Sequence, residues 1–124
     1  MSTGQGSGPG PGLGEKGETL AAEYLAAEGY RILHRRYRFG RGDVDIIARQ
    51  GKTLVFVEVK TRASGTYGGP EEAVTPEKIR RIRRIASAYL AGRRLSDCDC
   101  RIDVVGVTFE GGRPVLRHTR DIYA

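Results

Sequence analysis

The sequence predicts a single α/β domain, a mixed central sheet flanked by helices, and three observations carry that reading. The chain's 124 residues suffice for one hydrophobic core that buries about 65% of the unfolded surface, and for no second one. Apolar residues recur with helical spacing in two stretches and with strand alternation in four or five others. These elements follow one another as helix, three strands, helix, then one or two strands, which is the order of a sheet covered by helices. Composition agrees: 39% hydrophobic and 29% charged residues describe an ordinary globule, not a disordered chain.

Each element has its own signals. Residues 1–12, MSTGQGSGPGPG, are Gly, Pro, Ser, Thr and Gln after the Met, the composition of a flexible tail, so the domain is expected over 13–124. From Gly17, the positions Leu20, Ala21, Tyr24 and Leu25 line one helical face for about three turns, and Gly29 stops the run. Tyr30 to Tyr37 is short and bulky and ends before FGRGD, as a strand would. Val44–Ala48 and Thr53–Thr61 flank RQGK, where Gln50 and Gly51 are natural turn residues, so a β-hairpin is expected. Residues 63–69, ASGTYGG, read as a mobile loop. Thr75-Pro76-Glu77 then supplies an N-cap, a proline at the first helical position and an acid at the positive end. Ile79, Ile82, Ile85, Ala86 and Tyr89 form the buried stripe of this second helix, and Gly92 closes it. Arg101–Phe109 alternates as a further strand, which Val115–His118 can join across Gly111 and Gly112.

Composition also excludes whole classes. No stretch has the roughly 18 apolar residues of a membrane span, and the N-terminus lacks a basic-then-apolar leader, which points to the cytoplasm and no membrane partner. Cys98 and Cys100 stand one residue apart, too close for an ordinary staple and too few for a cysteine-rich zinc site, and read as reduced thiols. His34 and His118 belong to no nucleophile or ligand pattern and read as surface or strand-edge side chains. Lys+Arg 21 against Asp+Glu 15 gives +6, and only Lys16, Lys52, Lys60 and Lys78 of those bases are lysines. An arginine-rich basic domain suits a polyanion, whose phosphates match planar bidentate donors.

The chemistry lies in Gly42–Arg62, GDVDIIARQGKTLVFVEVKTR, where charges interrupt the most apolar hairpin of the chain. Side chains alternate along a strand, so Leu54, Phe56, Glu58 and Lys60 share one face and Val55, Val57 and Val59 the other. With Gln50–Gly51 as the turn, paired positions sum to 101, which sets Asp45 opposite Phe56 and Asp43 opposite Glu58. Asp43, Asp45, Glu58 and Lys60 then converge, and a shift of one residue would scatter them. Gathered carboxylates repel, so either their pKa values rise or a cation joins them. All-oxygen ligands select a hard ion, Mg²⁺ or Mn²⁺. Lys60 is placed to orient a bound water or to stabilise charge growing on an attacked phosphate. The plainer reading is a set of salt bridges at the solvent end of the hairpin.

Residues 30–41, YRILHRRYRFGR, interleave arginines, Arg35, Arg36 and Arg38 among them, with Tyr30, Tyr37 and Phe39, which allows phosphate pairing beside base stacking. The second helix adds Arg80, Arg81, Arg83 and Arg84 on its polar face, placed either to track a backbone or simply to stay solvated.

These motifs resemble the YraN-like family of endonuclease-like bacterial proteins in the PD-(D/E)XK nuclease superfamily. Gly14-x-x-Gly17-Glu18-x-x-Ala21, Gly29-Tyr30, Gly42-Asp43-Val44-Asp45-Ile46-Ile47-Ala48, Val57-Glu58-Val59-Lys60-Thr61-Arg62, Tyr67-Gly68, Lys78 and Arg101-x-Asp103 fall in family order. The resemblance implies a restriction-endonuclease-like αβββαβ core, with Asp45 and Glu58 as metal ligands, Asp43 a further candidate ligand, and Lys60 catalytic. It implies that Glu18 leans into the site from the first helix, as in Holliday junction resolvases; without it, Glu18 would read as a helix-dipole carboxylate. It suggests Lys78 and Tyr67 as substrate contacts beside Arg35, Arg36, Arg38 and Arg81, while Asp103 receives only an ion pair. The chain departs from the family pattern at Asp43, where Glu is usual, and at Arg36, where Asn is frequent. The expectation is a Mg²⁺-dependent endonuclease acting on DNA, including branched DNA, which as a junction cutter would work as a homodimer. The alternative is a non-catalytic nucleic-acid-binding module or scaffold on the same fold.

Overall fold

The computed structural model describes residues 12–63, 74–95 and 98–122. Its elements are α1 (Leu13–Ala27), β1 (Arg31–Phe39), β2 (Gly42–Gln50), β3 (Thr53–Ala63), α2 (Pro76–Gly92), β4 (Asp99–Glu110) and β5 (Arg113–Thr119). The strands form one sheet in sequence order, antiparallel throughout except for β3 and β4, which run parallel and are joined through α2. This is the expected mixed α/β sheet with a helix on each face, extended by β5. The expected tail and the 63–69 loop lie outside the described residues, apart from Gly12 and Ala63. Among the described residues no helix is long and apolar enough to cross a membrane.

Period and turn chemistry account for the elements. Ala21 and Leu25 on α1 pack with Tyr30, Ile46, Ala48, Val55, Val57, Val105 and Val107 on one face of the sheet. Ile82, Ile85, Ala86 and Tyr89 on α2 pack with Val44, Ile47, Leu54, Phe56 and Ile102 on the other. Alternation along β3 thus sends Val55 and Val57 to one helix and Leu54 and Phe56 to the other. Helix α1 begins at Leu13, a turn before the expected Gly17, and ends where Gly29, at φ 95, lets Tyr30 N–H return to the Leu25 carbonyl. Helix α2 is capped by Thr75, whose hydroxyl accepts from Lys78 N–H at 3.1 Å.

The β2–β3 turn is Gly51–Lys52, not the expected Gln50–Gly51, since Gln50 pairs with Thr53. Gly51 takes φ 59 at the first central position, where a type II′ turn wants glycine. Pairs therefore sum to 103. The slip is even, so along β3 and from Ile46 to Ala48 the side chains keep their expected faces while their cross-strand partners change. Val44, however, packs with Ile47 and Phe56 on the α2 side, so β2 leaves strict alternation between Val44 and Ile46.

Both histidines sit on the edge strands β1 and β5, as the strand-edge reading has it, but they are half-buried and their rings meet neighbouring side chains. His118 Nε2 donates to Asp103 Oδ2 at 2.8 Å, and Tyr24 Oη lies 3.1 Å from its Nδ1. His34 Nε2 is 3.1 Å from Tyr89 Oη. Cys98 and Cys100 are free thiols packed against the α2 core.

Candidate active site

The β2–β3 ladder stops at Ile46↔Val57, whereas β1–β2 runs on to Phe39↔Gly42 and β3–β4 to Ala63↔Phe109. Beyond Ile46, then, β1 and β2 leave β3 as a pair and open a fork. Asp45 stands at the first position past the ladder, and its Oδ2 accepts from Val59 N–H at 2.7 Å. A side-chain oxygen has replaced the backbone acceptor that a continued strand would offer. The fork opens into a cleft of about 430 Å³ lined by Gly14, Glu15, Glu18, Arg36, Asp45, Val59, Lys60 and Thr61.

Helix α1 supplies the opposite wall because Gly17 lets it lie directly on β3. A Cβ at position 17 would sit 1.9 Å from Thr61 Oγ1. That close approach presents the neighbouring Glu18, only 6% exposed, to the cleft. Glu18 Oε1 accepts from Arg35 at 3.1 Å and from Arg36 at 3.3 Å, and Arg36 also reaches Glu15 Oε2 at 3.1 Å. Arg36 holds φ 53, a region that disfavours its Cβ, at a point where the β1 register has already shifted.

Glu58 is 3% exposed and pairs through Oε2 with Lys78 of α2 and with Lys60 Nζ at 3.8 Å. The Asp45 carboxyl is pushed up to about 7, first by desolvation and next by the negative charge of Glu58. The Val59 N–H and Lys78 pull it down, and Glu18 adds to the rise. Among the described residues no three His, Cys, Asp or Glu side chains converge as a ready-made metal cage.

The structure therefore brings Glu18, Asp45, Glu58, Lys60, Lys78, Arg35 and Arg36 to one end of β3. It does not bring Asp43 there. Asp43 is exposed, pairs with Arg38 near the β1–β2 turn and lines a separate small cleft, because the parting of β2 carries it away from β3. Arg38 is exposed on that same hairpin, and Arg81 is exposed on α2 outside the cleft. Tyr67 lies outside the described residues. Two participants had no sequence signal: Glu15, which holds Arg36, and the Val59 amide, which depends on where the ladder ends.

Asp103 is fully buried and does form the expected ion pair, with Arg101 Nε at 3.0 Å, but within a larger network. Besides His118 it accepts from Asp121 N–H at 3.0 Å, while Arg101 also donates to Tyr30 Oη at 2.6 Å. Burial pushes its carboxyl up, but hydrogen bonds from His118, Arg101 and the Asp121 amide outweigh that and hold it below the ordinary value.

Residues 17–107 match the uncharacterised protein family UPF0102. The chain is 51% identical over 106 residues to a UPF0102 protein of Geobacter metallireducens, covering 86% of this chain and 87% of that one. It is 56% identical to one of Chlorobaculum parvum, over 77% of this chain and 74% of that one. It is 55% identical to one of Symbiobacterium thermophilum, over 77% and 80% respectively. A loose likeness, TM-score 0.32 at 14% identity over 86% of this chain and 61% of the other, relates it to Pyrococcus furiosus SfsA in complex with Ca²⁺.

Proposed function

Because the chain belongs to the UPF0102 family, within the restriction-endonuclease-like superfamily, we propose that it is a divalent-metal-dependent endonuclease that hydrolyses phosphodiester bonds in DNA in the cytoplasm. One observation carries this reading: at the β2–β3 fork, Asp45 is raised to about 7 partly by Glu58 while it shares a cleft with Lys60. Two carboxylates whose repulsion is left partly uncompensated favour a cation between them, and strained titrations of this kind concentrate at working sites.

The donors fit a hard ion. Asp45 and Glu58 offer oxygen only, and Mg²⁺ or Mn²⁺ keeps several positions for water and substrate oxygens, so a full protein cage is not required. Bound there, the ion would lower the pKa of a water and polarise a phosphoryl oxygen. The chain's own groups supply the rest. Lys60 carries the ammonium that balances charge growing on the attacked phosphate. Lys78, already at Glu58, fixes that carboxylate and adds positive charge at the mouth. Arg35 and Arg36 hold Glu18 in place and provide phosphate contacts at the cleft, while Arg38 on the β1–β2 hairpin and Arg81 on α2 are exposed for contacts further along a backbone.

A second reading has its own support. Glu58 is already paired with two lysines and Glu18 with two arginines, as in a binding module whose charges are internally balanced. Nicking of plasmid, linear duplex and four-way-junction DNA with Mg²⁺, Mn²⁺ or EDTA separates the two. Cleavage that needs metal and is lost in Glu58→Ala and Lys60→Ala supports the nuclease. Salt-sensitive binding without cleavage under every condition supports the module.

A further inference from the structure

The β1–β2 pair that leaves β3 ends in the turn Gly40–Arg41, closed by Phe39↔Gly42, with Gly40 at φ 61. This arm carries Asp45 at its base and Phe39 at its tip. Phe39 is 52% exposed, and the side chains beside it on the turn, Arg38 and Arg41, are exposed as well. The neighbouring aromatics are committed elsewhere. Tyr30 is 3% exposed and bonded to Arg101. Tyr37 stacks edge-on with Tyr89 at 5.4 Å between centroids and packs against His34. Of the rings in the basic segment 30–41, then, Phe39 alone offers an open face. The other large apolar side chains exposed among the described residues, Leu13 and Val115, are aliphatic.

We propose that Phe39, flanked by Arg38 and Arg41 at the tip of the β1–β2 arm, stacks on an unpaired nucleobase of the nucleic acid whose backbone crosses the cleft. The inference rests on the reading of the cleft as a nucleic-acid site and adds a specificity element to it. The charge fits: two guanidinium groups beside one ring can hold the phosphates on either side of a stacked base. Arg36 lines the cleft and Phe39 lies three residues further along β1, a chain separation of at most about 10 Å. A ring on a narrow turn can reach a base face only where no neighbouring base covers it. Intact duplex offers no such face, whereas single strands, overhangs and branch points do. Phe39 therefore favours DNA with unpaired bases near the scissile phosphate.

The chain contains no tryptophan, so Phe39→Trp creates a unique fluorophore. The full chain carrying it is titrated in EDTA with a single-stranded oligonucleotide, a duplex with a single-stranded overhang and a blunt duplex of the same length. Stacking predicts quenching by the first two and little change with the third. In parallel, Phe39→Ala is expected to bind the single strand about tenfold more weakly, with blunt-duplex affinity shifted less than about twofold, and Phe39→Leu to behave like Phe39→Ala. Equal losses on all substrates, no loss at all, or full rescue by Phe39→Leu would overturn the proposal. So would a change of oligomeric state in Phe39→Ala, which would make the tip a protein interface. Binding is read in EDTA and cleavage separately with Mg²⁺, so the two readings fail separately: Phe39-dependent binding in EDTA without cleavage in Mg²⁺ removes the nuclease alone, and cleavage in Mg²⁺ without Phe39-dependent binding removes the stacking alone. Absence of binding to any of the oligonucleotides overturns both.

Discussion

Asp103 and Asp45 lie in the interior of the same sheet and are treated in opposite ways. Asp103 has no solvent exposure and is met by Arg101, His118 and the Asp121 amide, so its carboxyl sits below the ordinary value. Asp45 has one amide donor and a neighbouring carboxylate, and its carboxyl is pushed up to about 7. A buried acid with every oxygen answered fits a scaffold role, whereas one left in conflict is the pattern that working sites concentrate.

The largest effect should come from the satisfied acid. Asp103→Ala leaves Arg101 and His118 without their buried partner and is expected to cost about 3–5 kcal/mol in urea unfolding. A loss near zero would erase the contrast. Asp45→Asn should act in the other direction, because it removes a disfavoured charge and keeps an acceptor for Val59 N–H. A gain of about 1–3 kcal/mol at pH 8 is expected.

The pH dependence carries the sign. Asp45 binds its proton more tightly in the folded state, at about 7, than an ordinary Asp at 3.8. The stability this gives is present at low pH and falls as pH rises between those values. Asp103, with a lowered folded value, contributes stability that is present above the ordinary carboxylate range and lost as pH falls through that folded value. Unfolding curves across pH should therefore show the Asp45→Asn gain shrinking toward pH 4, while the Asp103 contribution disappears only below that.

Added metal tests the proposed ion site at Asp45. At tenfold its dissociation constant, Mg²⁺ should raise wild-type stability by about 1.4 kcal/mol at pH 8, less at pH 5, and not at all in Asp45→Asn; calorimetric melts read this directly. The smallest change is Thr75→Ala. It removes the cap on Lys78 N–H and should cost about 1 kcal/mol, with a looser Lys78–Glu58 pair seen as faster amide exchange in the first turn of α2.

Much of this was legible in the order of residues. The α2 stripe Ile82, Ile85, Ala86 and Tyr89 is buried as its spacing requires, and alternation placed Glu58 and Lys60 together. The turn lies one residue from its expected place, and from Ile46 onward the faces survive because the register moved by an even step, whereas Val44, past the end of the ladder, has changed face. What could not be read is the point where pairing ends. Asp45 meets Val59 and Glu58 because the β1–β2 arm leaves β3 after Ile46, a parting that no local residue pattern announces. Asp43, only two residues away, travels with the arm and leaves the site for the same reason. His118 was opaque because its partners Tyr24 and Asp103 are distant in sequence and meet only once β5 pairs with β4.

The parallel β3–β4 seam divides the chain's contributions to the cleft. Among the described residues, everything lining it, from Gly14 to Thr61, precedes that seam, and the Glu58 partner Lys78 is delivered from beyond it. Neighbouring strands joined by tight turns close over short loops, whereas the seam must wait for a distant segment. The first half of the chain thus supplies the acids and arginines of the cleft, and the second half supplies the helix that buries the other face of the same strands, the parallel neighbour of β3 and the lysine that meets Glu58.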